Sequence, residues 1–383
     1  VFPAAERPGA IAAWSAVAGV GIVIGPVAGG FLLAHFAWGS VFWINIPLVA
    51  IAIIAALAVV PGGGAQRLAR NHRRLDLVGA VVSIAGLVSL VDAVIEAPNR
   101  GWLSALTIGE VAMAVAFLVG FVRWELHTAQ PMIDVRVFTH RAFSVAAGSV
   151  SLIFFALMGS LFALTQYLQL VHGYSTLGAG LRALPFAAAM LVVSPLSSSL
   201  AGRFGLRVVL PAGLVAMAAG LVGLGQAGPH TAYPALAVAV TVMGSGMALV
   251  MAPASESIMT VLPADQLGVG SAVNDTVREV GGALGVAVIG SLVSGAYRSH
   301  LHLVAGVPAG LARAARSSIA AGDAVGSHLG GAGGGRIVTS AGQAYATAMG
   351  IGFDVAAGVA LIGAALVIVS LARPGAAVDG AAG

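Results

Sequence analysis

Three ionisable residues, Asp275, Arg278 and Glu279, stand close together inside an otherwise apolar run. Residues three and four positions apart share one face of a helix, so Asp275 can pair with Arg278. An ionisable group inside an apolar helix that spans a membrane costs several kcal/mol unless it is paired or hydrated, and such groups are functional candidates. A carboxylate in this setting can bind and release a proton. A purely structural salt bridge is the alternative interpretation.

Further acidic residues lie in or near other apolar runs. Asp354 stands about nine residues into the last run and is a second candidate for proton exchange. Glu256 ends another run, where a solvated acid is an equally good interpretation. Asp92 and Glu96 lie near the end of the third run and Glu110 lies within the fourth, and we interpret these acids as anchors at the membrane interface.

Glycines four residues apart mark two close-packing faces. Within the stretch 21–30, GIVIGPVAGG, the positions of interest are Gly21, Gly25, Pro26, Gly29 and Gly30. Small residues at this spacing let two helix backbones approach closely, and proline removes a backbone hydrogen bond and bends the helix. Gly281 and Gly285 form a second face, for which we expect a role in helix packing. For the first stretch, generic helix packing is the alternative to a specific functional motif.

The composition defines the class of protein that must hold these residues. Of 383 residues, 59% are hydrophobic and 8% are charged, whereas soluble domains have about 25% charged residues. This balance excludes a soluble enzyme, a nucleic-acid-binding module and a disordered chain. Cysteine and lysine are absent, which excludes disulfides and a phosphate-binding loop of the G-x4-G-K-[ST] type. The histidines show no ligand spacing, so we predict no metal and no cofactor.

The predicted fold is an all-α membrane protein with ten membrane-spanning helices. Each span matches the roughly 20 residues that cross a hydrocarbon core of about 30 Å. The predicted spans are 10–35, 39–60, 77–96, 103–122, 142–169, 178–200, 206–226, 232–256, 268–297 and 345–372. Asp76 precedes the third span and is a good N-cap.

The arginines predict the orientation of the spans. All 18 basic residues are arginine, and most lie in loops on one side, which places both termini in the cytoplasm. Arg182 and Arg278 lie inside spans instead. Residues 298–343 are rich in glycine, alanine and serine, and predict a long flexible loop on the external side.

The stretch 21–30 resembles motif C, the antiporter motif of the major facilitator superfamily, written G-x8-G-x3-G-P-x2-G-G. Ala12 stands in place of the first glycine of that motif. Trp38 and the sequence INIP at 44–47 resemble the signature that opens helix 6 of the family. Gly39 departs from this signature, because the family usually has arginine there.

Most of the remaining chain is similar to the fourteen-helix drug:proton antiporters of the QacA/EmrB type. The matching segments are 131–138 with its P-x-x-D-x-R-x-F pattern, 167–185 and 253–287. The resemblance implies that the ten spans are helices 5 to 14 and that helices 1 to 4 are absent. The implied domains are 1–60, the last two helices of the N-terminal bundle; 61–141, two additional central helices; and 142–383, a C-terminal six-helix bundle with the long external loop.

The resemblance also implies an activity. Members of this family export hydrophobic or cationic compounds in exchange for protons by alternating access, so we expect a transporter in the plasma membrane and not an enzyme. The expected partners are a small-molecule substrate, protons and the lipid bilayer, without nucleic acid. The substrate site would lie between the bundles, lined by helices 5, 9, 10 and 13, and Gly281 and Gly285 would face helix 2. The alternatives are a dedicated exporter of one antibiotic or metabolite, and an inactive truncated fragment.

Overall fold

The computed structural model describes residues 21, 24–25, 27–59, 76–128, 131–260, 267–304 and 306–372, and every regular element within these ranges is helical. Helix α1 covers residues 27–35, and Gly21, Ile24 and Gly25 are helical as well. The other helices are α2 Ser40–Trp43, α3 Asn45–Val59, α4 Leu77–Arg100, α5 Ala105–His127, α6 Arg141–Gln166, α7 Thr176–Leu181, α8 Leu184–Phe204, α9 Leu206–Gly225, α10 Tyr233–Thr260, α11 Leu267–His300, α12 Ala309–Ser317, α13 Ile319–Leu329 and α14 Gly331–Ala372. A 3-10 turn covers Val135–Thr139, and a π-helical turn, Tyr167–Val171, continues α6.

Nine helical segments in the described part of the chain are long and apolar enough to cross a membrane. They correspond to nine of the ten predicted spans and confirm the all-α membrane fold. The first predicted span, 10–35, lies largely outside the described residues.

Side-chain caps fix where the central helices begin. The Gly79 amide donates to Asp76 Oδ1 at 2.8 Å, which confirms Asp76 as the N-cap of α4. Ser104 caps α5 by accepting from the Thr107 amide at 3.2 Å. Trp124 Nε1, near the end of α5, donates to Asp76 Oδ2 at 2.8 Å. This bond fastens the end of α5 to the start of α4, so the two helices form an antiparallel hairpin.

The core lies within the C-terminal bundle of α6, α8, α9, α10, α11 and α14. Glycines bring these helices together: a methyl group added at Gly220 of α9 would lie 2.6 Å from the backbone nitrogen of Met243 in α10. A methyl group at Gly350 of α14 would similarly lie 2.6 Å from the Gly225 carbonyl oxygen. Helix α3, in contrast, buries none of its apolar side chains against the described residues.

Helices α6 and α11 meet along a seam of small residues. Methyl groups at Gly281 and Gly285 would overlap the carbonyl oxygens of Ser151 and Phe155, and Gly159 faces Gly285 across the seam. The two helices therefore pack backbone to backbone, as small residues at this spacing permit. The expectation that Gly281 and Gly285 face helix 2 is not met, because α6 occupies that face.

The hairpin of α4 and α5 packs against the C-terminal bundle. Helix α4 contacts α11, where Ser291 Oγ donates to the Val94 carbonyl oxygen at 2.8 Å. The α4–α5 hairpin therefore lies beside α11. The predicted domain boundaries at 60 and 141 stay predictions.

The predicted loop 298–343 is wrong as a loop, because most of it is helical in α12, α13 and the start of α14. Ser318 caps α13 by accepting from the Ala321 amide at 3.1 Å. A methyl group at Gly334 would overlap the Gly326 carbonyl oxygen, so these glycines let α13 approach α14. The glycines here permit close packing of two helices. Composition alone does not distinguish glycines in such a contact from glycines in a flexible loop. The external position of this segment stays a prediction.

Candidate functional site

The predicted charge cluster on α11 is partly assembled. Arg278 Nη1 lies 3.4 Å from Asp275 Oδ1, and the arginine side chain is 12% exposed against 60% for the aspartate. The Arg278 guanidinium carbon lies 4.8 Å from the centre of the Phe154 ring, and Nη2 lies 3.9 Å from Met251 Sδ. Arg278 thus joins α11 to α6 and α10, while Asp275 points its charge toward the exterior of the bundle.

The other predicted acids occupy different places. Glu279 is exposed on α11, and Glu256 is half-buried on α10. Ser255, the neighbour of Glu256, donates to Asn274 Oδ1 at 3.2 Å, which ties α10 to α11 at this end. Asp354 lies in the middle of α14, because this helix begins at Gly331, well before the predicted span. It is close to Gly225, at the end of the α9–α10 helix pair opposite to Glu256. Proton exchange at any of these acids stays a prediction.

The glycines of motif C differ in their surroundings. Methyl groups at Gly21, Gly25 and Gly29 would meet no described atom within 4 Å, and Pro26 lies outside the described residues. Gly30, in contrast, is buried, and a methyl group there would lie 2.8 Å from Cα of Leu177. The close approach at this motif therefore joins α1 to α7, and the packing role of the first three glycines stays a prediction.

A cavity of about 230 Å³ lies beside this contact, between α1, α6, α7–α8 and α10. We name it the Arg182 cavity. Its polar lining residues are Thr165, Gln169, Thr176, Arg182 and Tyr233, and most of the remaining lining is apolar. Pockets for small molecules are typically apolar with a few placed polar groups and measure about 300–1,000 Å³. The Arg182 cavity matches this character at a somewhat smaller size.

Aromatic rings hold Arg182 at the wall of the cavity. Its guanidinium carbon lies 3.5 Å from the centre of the Tyr174 ring and 5.3 Å from that of Tyr233. Arg182 Nη1 donates to the Gly178 carbonyl oxygen at 3.0 Å, whereas the enclosed Nε has no hydrogen-bond partner among the described residues. A guanidinium is planar, and stacking on aromatic faces fixes its orientation.

The His172 ring stacks on the Tyr174 ring that contacts Arg182. The rings of His172 and Tyr174 are stacked with centres 5.5 Å apart, and Tyr167 Oη donates to the Gly228 carbonyl oxygen at 2.5 Å. Because the one hydroxyl hydrogen of Tyr167 is used there, His172 Nε2 donates to Tyr167 Oη at 3.0 Å. Burial, with the nearby charges of Arg182 and His230, lowers the pKa of His172 below its ordinary value.

Sequence reasoning counted Arg182 only as an arginine inside a span and missed it as a site residue. The position of Arg182 inside an apolar run could have identified it, because a charged residue within such a run is a functional candidate by default. Its aromatic neighbours are eight residues before it and 51 residues after it. Periodicity could not reveal that these rings meet Arg182.

A second cluster that sequence reasoning missed surrounds Arg100, at the end of α4. Arg100 Nη1 lies 2.6 Å from Glu110 Oε1 and 3.9 Å from Asp92 Oδ2, and Nε lies 3.7 Å from Glu96 Oε2. The three acids that we interpreted as interface anchors thus converge on one arginine and close the α4–α5 hairpin at this end.

Comparisons with known proteins agree with this architecture. Residues 1–286 match the Major Facilitator Superfamily. The chain is 36% identical over 310 residues to the multidrug resistance protein Stp of Mycobacterium tuberculosis, which covers 80% of this chain and 57% of that protein. It is 32% identical over 295 residues to the tetracenomycin C resistance and export protein of Streptomyces glaucescens, covering 76% and 54%.

A third relative is matched over most of its length. The multidrug efflux pump LfrA of Mycolicibacterium smegmatis is 31% identical over 372 residues, covering 97% of this chain and 72% of that protein. In Stp and the tetracenomycin C protein, the matched region is just over half of the relative's length. With the helical spans and the match over residues 1–286, these likenesses show that the chain belongs to the major facilitator superfamily.

Proposed function

We propose that the protein exports hydrophobic small molecules across the plasma membrane by alternating access, driven by exchange for protons. The observation that carries this proposal is the Arg182 cavity, which is mostly apolar and lies between α1 and the C-terminal bundle. Relatives named for multidrug resistance and multidrug efflux support the direction of transport. In the family numbering of the fourteen-helix type, the cavity is lined by helices 5, 9, 10 and 12, whereas the resemblance implied helix 13 in place of helix 12.

The contact between α1 and α7 supports a moving boundary at this cavity. Gly30 touches the backbone of α7 directly, and α7 leads into Arg182 within six residues. At Gly30 no side chain separates the two backbones, so the helices approach closely there. We therefore propose that the α1–α7 contact closes the cavity at one end during the transport cycle, which fits the rocking of two bundles around a central site.

An exporter dedicated to one compound is the second candidate. The relative from Streptomyces glaucescens is named for resistance to and export of a single compound, tetracenomycin C. The small volume of the cavity, about 230 Å³, also favours a restricted range of ligands. Export of many unrelated compounds would support the multidrug function, and export of one compound would support the dedicated function.

Efflux from cells tests the proposed function. The protein is expressed from its own gene in a host that lacks drug pumps, and loss of the neutral dye Nile red is followed by fluorescence. We expect energised efflux that stops when nigericin collapses the pH gradient. Leu164→Trp should fill the cavity and abolish efflux, because Leu164 is buried in its wall.

The matched control is Leu196→Trp, which adds the same ring at an exposed position of α8. It should export Nile red at the rate of the unaltered protein. Efflux by Leu164→Trp at that same rate would contradict the assignment of this cavity to the substrate.

We also propose that both termini are cytoplasmic and that α12 and α13 are external. Because the sequence has no cysteine, single cysteines report their side without background. In intact cells, a membrane-impermeant maleimide should label Arg313→Cys in α12, whereas Thr139→Cys should be labelled only after permeabilisation. Both positions are exposed. The opposite labelling pattern would reverse the proposed orientation.

A further inference from the structure

We propose that the Arg182 cavity selects neutral and anionic aromatic ligands and rejects organic cations. This inference rests on the proposed function, because it names the substrate class of the same site. It departs from the expectation that substrates are hydrophobic or cationic.

The charge of the cavity wall is the first argument. Among the described residues that line the cavity, Arg182 is charged and none is acidic. Arg182 forms no salt bridge with another described residue, so its positive charge is not neutralised by a carboxylate there. Charges interact more strongly in an apolar surrounding than in water, so this arginine attracts anions and repels cations that enter.

The hydrogen-bonding state of Arg182 is the second argument. Of its donors, Nη1 is used by the Gly178 carbonyl oxygen, and Nε is enclosed without a partner among the described residues. A buried donor without a partner costs free energy, which a ligand oxygen can recover. A guanidinium matches a carboxylate by two parallel N–H···O bonds, whereas an ammonium group offers no acceptor.

The aromatic setting and the size of the cavity define the rest of the ligand. Tyr174 and Tyr233 orient the guanidinium, and Tyr233 also lines the cavity and adds an aromatic side chain to its apolar wall. A volume of about 230 Å³ is below the roughly 300–1,000 Å³ of typical small-molecule pockets, which favours a small ligand. The cavity therefore accommodates a small fused ring system with one acidic or carbonyl substituent.

Binding to the purified protein tests the inference separately from transport. The protein is placed in phosphatidylcholine nanodiscs at neutral pH, with empty nanodiscs as background. Three probes share one ring system: 2-naphthoate is anionic, 2-acetylnaphthalene is neutral and 2-naphthylmethylammonium is cationic. Equilibrium dialysis with naphthalene fluorescence measures each dissociation constant. We expect naphthoate to bind about tenfold or more tightly than naphthylmethylammonium, with acetylnaphthalene between them.

Variants assign the preference to Arg182. Arg182→Gln should weaken naphthoate about tenfold or more, strengthen the cation and leave acetylnaphthalene nearly unchanged. Arg182→Lys keeps the charge and should keep the order of the three probes, even if Arg182→Gln fails to fold. The matched control is Arg313→Gln, which removes the same charge from an exposed position on α12.

Each contrary outcome has a separate meaning. Equal or tighter binding of the cation by the unaltered protein would overturn the inference and leave the proposed export intact. Reversal of the order by Arg182→Lys would overturn it as well, because the charge would then not be the cause. Binding of none of the three probes would overturn the Arg182 cavity as a ligand site, and the inference with it.

Discussion

Gly285→Ala tests whether the seam between α6 and α11 holds the C-terminal bundle together. The change adds one methyl group where the structure has the carbonyl oxygen of Phe155, a backbone atom that cannot rotate away. The two helices must therefore separate, and Ser151 and Gly159 lose their partners along the same seam. Gly290→Ala is the matched control on the same helix, because its methyl group would lie 3.9 Å from Phe162 Cε1, an ordinary contact.

The expected cost follows from the geometry. Restoring contact distance requires the helices to move apart by about 1 Å, and a gap of this size forfeits up to about half of each dispersion contact. Overpacking of this kind costs about 1–3 kcal/mol. Alanine also favours a helix over glycine by about 1 kcal/mol, but this gain is the same in both variants and cancels in their difference. The difference between the variants is therefore about 1–3 kcal/mol.

Thermal unfolding in detergent measures this difference. In domains of about 150–250 residues, 1 kcal/mol shifts the midpoint by about 2–4 °C, so Gly285→Ala should melt several degrees below Gly290→Ala. Gly290→Ala should melt a few degrees above the unaltered protein, because it gains the helix preference of alanine without a clash. Equal midpoints for the two alanine variants would refute the argument that backbone contact at this seam stabilises the bundle.

Three further predictions concern transport and pH. Gly30→Ala should slow Nile red efflux several-fold, because its methyl group meets the backbone of α7, whereas Gly148→Ala lies at an exposed position of α6, where its methyl group meets no described atom within 4 Å, and should export normally. The Asp275→Asn and Glu279→Gln double variant should bind substrate yet lose proton-driven efflux, and retained pH-gradient-driven efflux would make both acids structural. Because the pKa of His172 is lowered, the unfolded chain binds more protons than the folded one below about pH 6.5. The melting midpoint should therefore fall as pH drops below 6.5, and His172→Gln should flatten that fall, which a melting series from pH 7.5 to 5 would measure.

Sequence predicted the helices well where the physical signal is local. Apolar runs of membrane length predicted nine described spans, and Asp76 predicted the start of α4, because hydropathy and capping depend on neighbouring residues. Residues 298–343 were assigned wrongly, since glycine and alanine accompany both flexible chains and tight helix contacts. Gly326 and Gly334 show the second case, and that distinction needs the packed partner.

The candidate site was less predictable because it joins distant parts of the chain. Arg278 and Asp275 were paired correctly, since they are three residues apart on one helix. Arg182 and Tyr233 are 51 residues apart and meet only through the packing of α8 against α10. Arg100 likewise meets Glu110 across the turn between two helices, which no single-helix pattern contains.

Helix α14 has a mechanical consequence. Its 42 residues extend about 63 Å at 1.5 Å each, roughly twice the thickness of a hydrocarbon core of about 30 Å. A helix of this length has about 30 Å more than one crossing requires, and α13 packs against its first turns, where Gly326 meets Gly334. A rotation of α14 by about 10° would move a point about 30 Å along its axis by about 5 Å. A label on α13 would therefore report small rotations of the bundle at a distance from the Arg182 cavity.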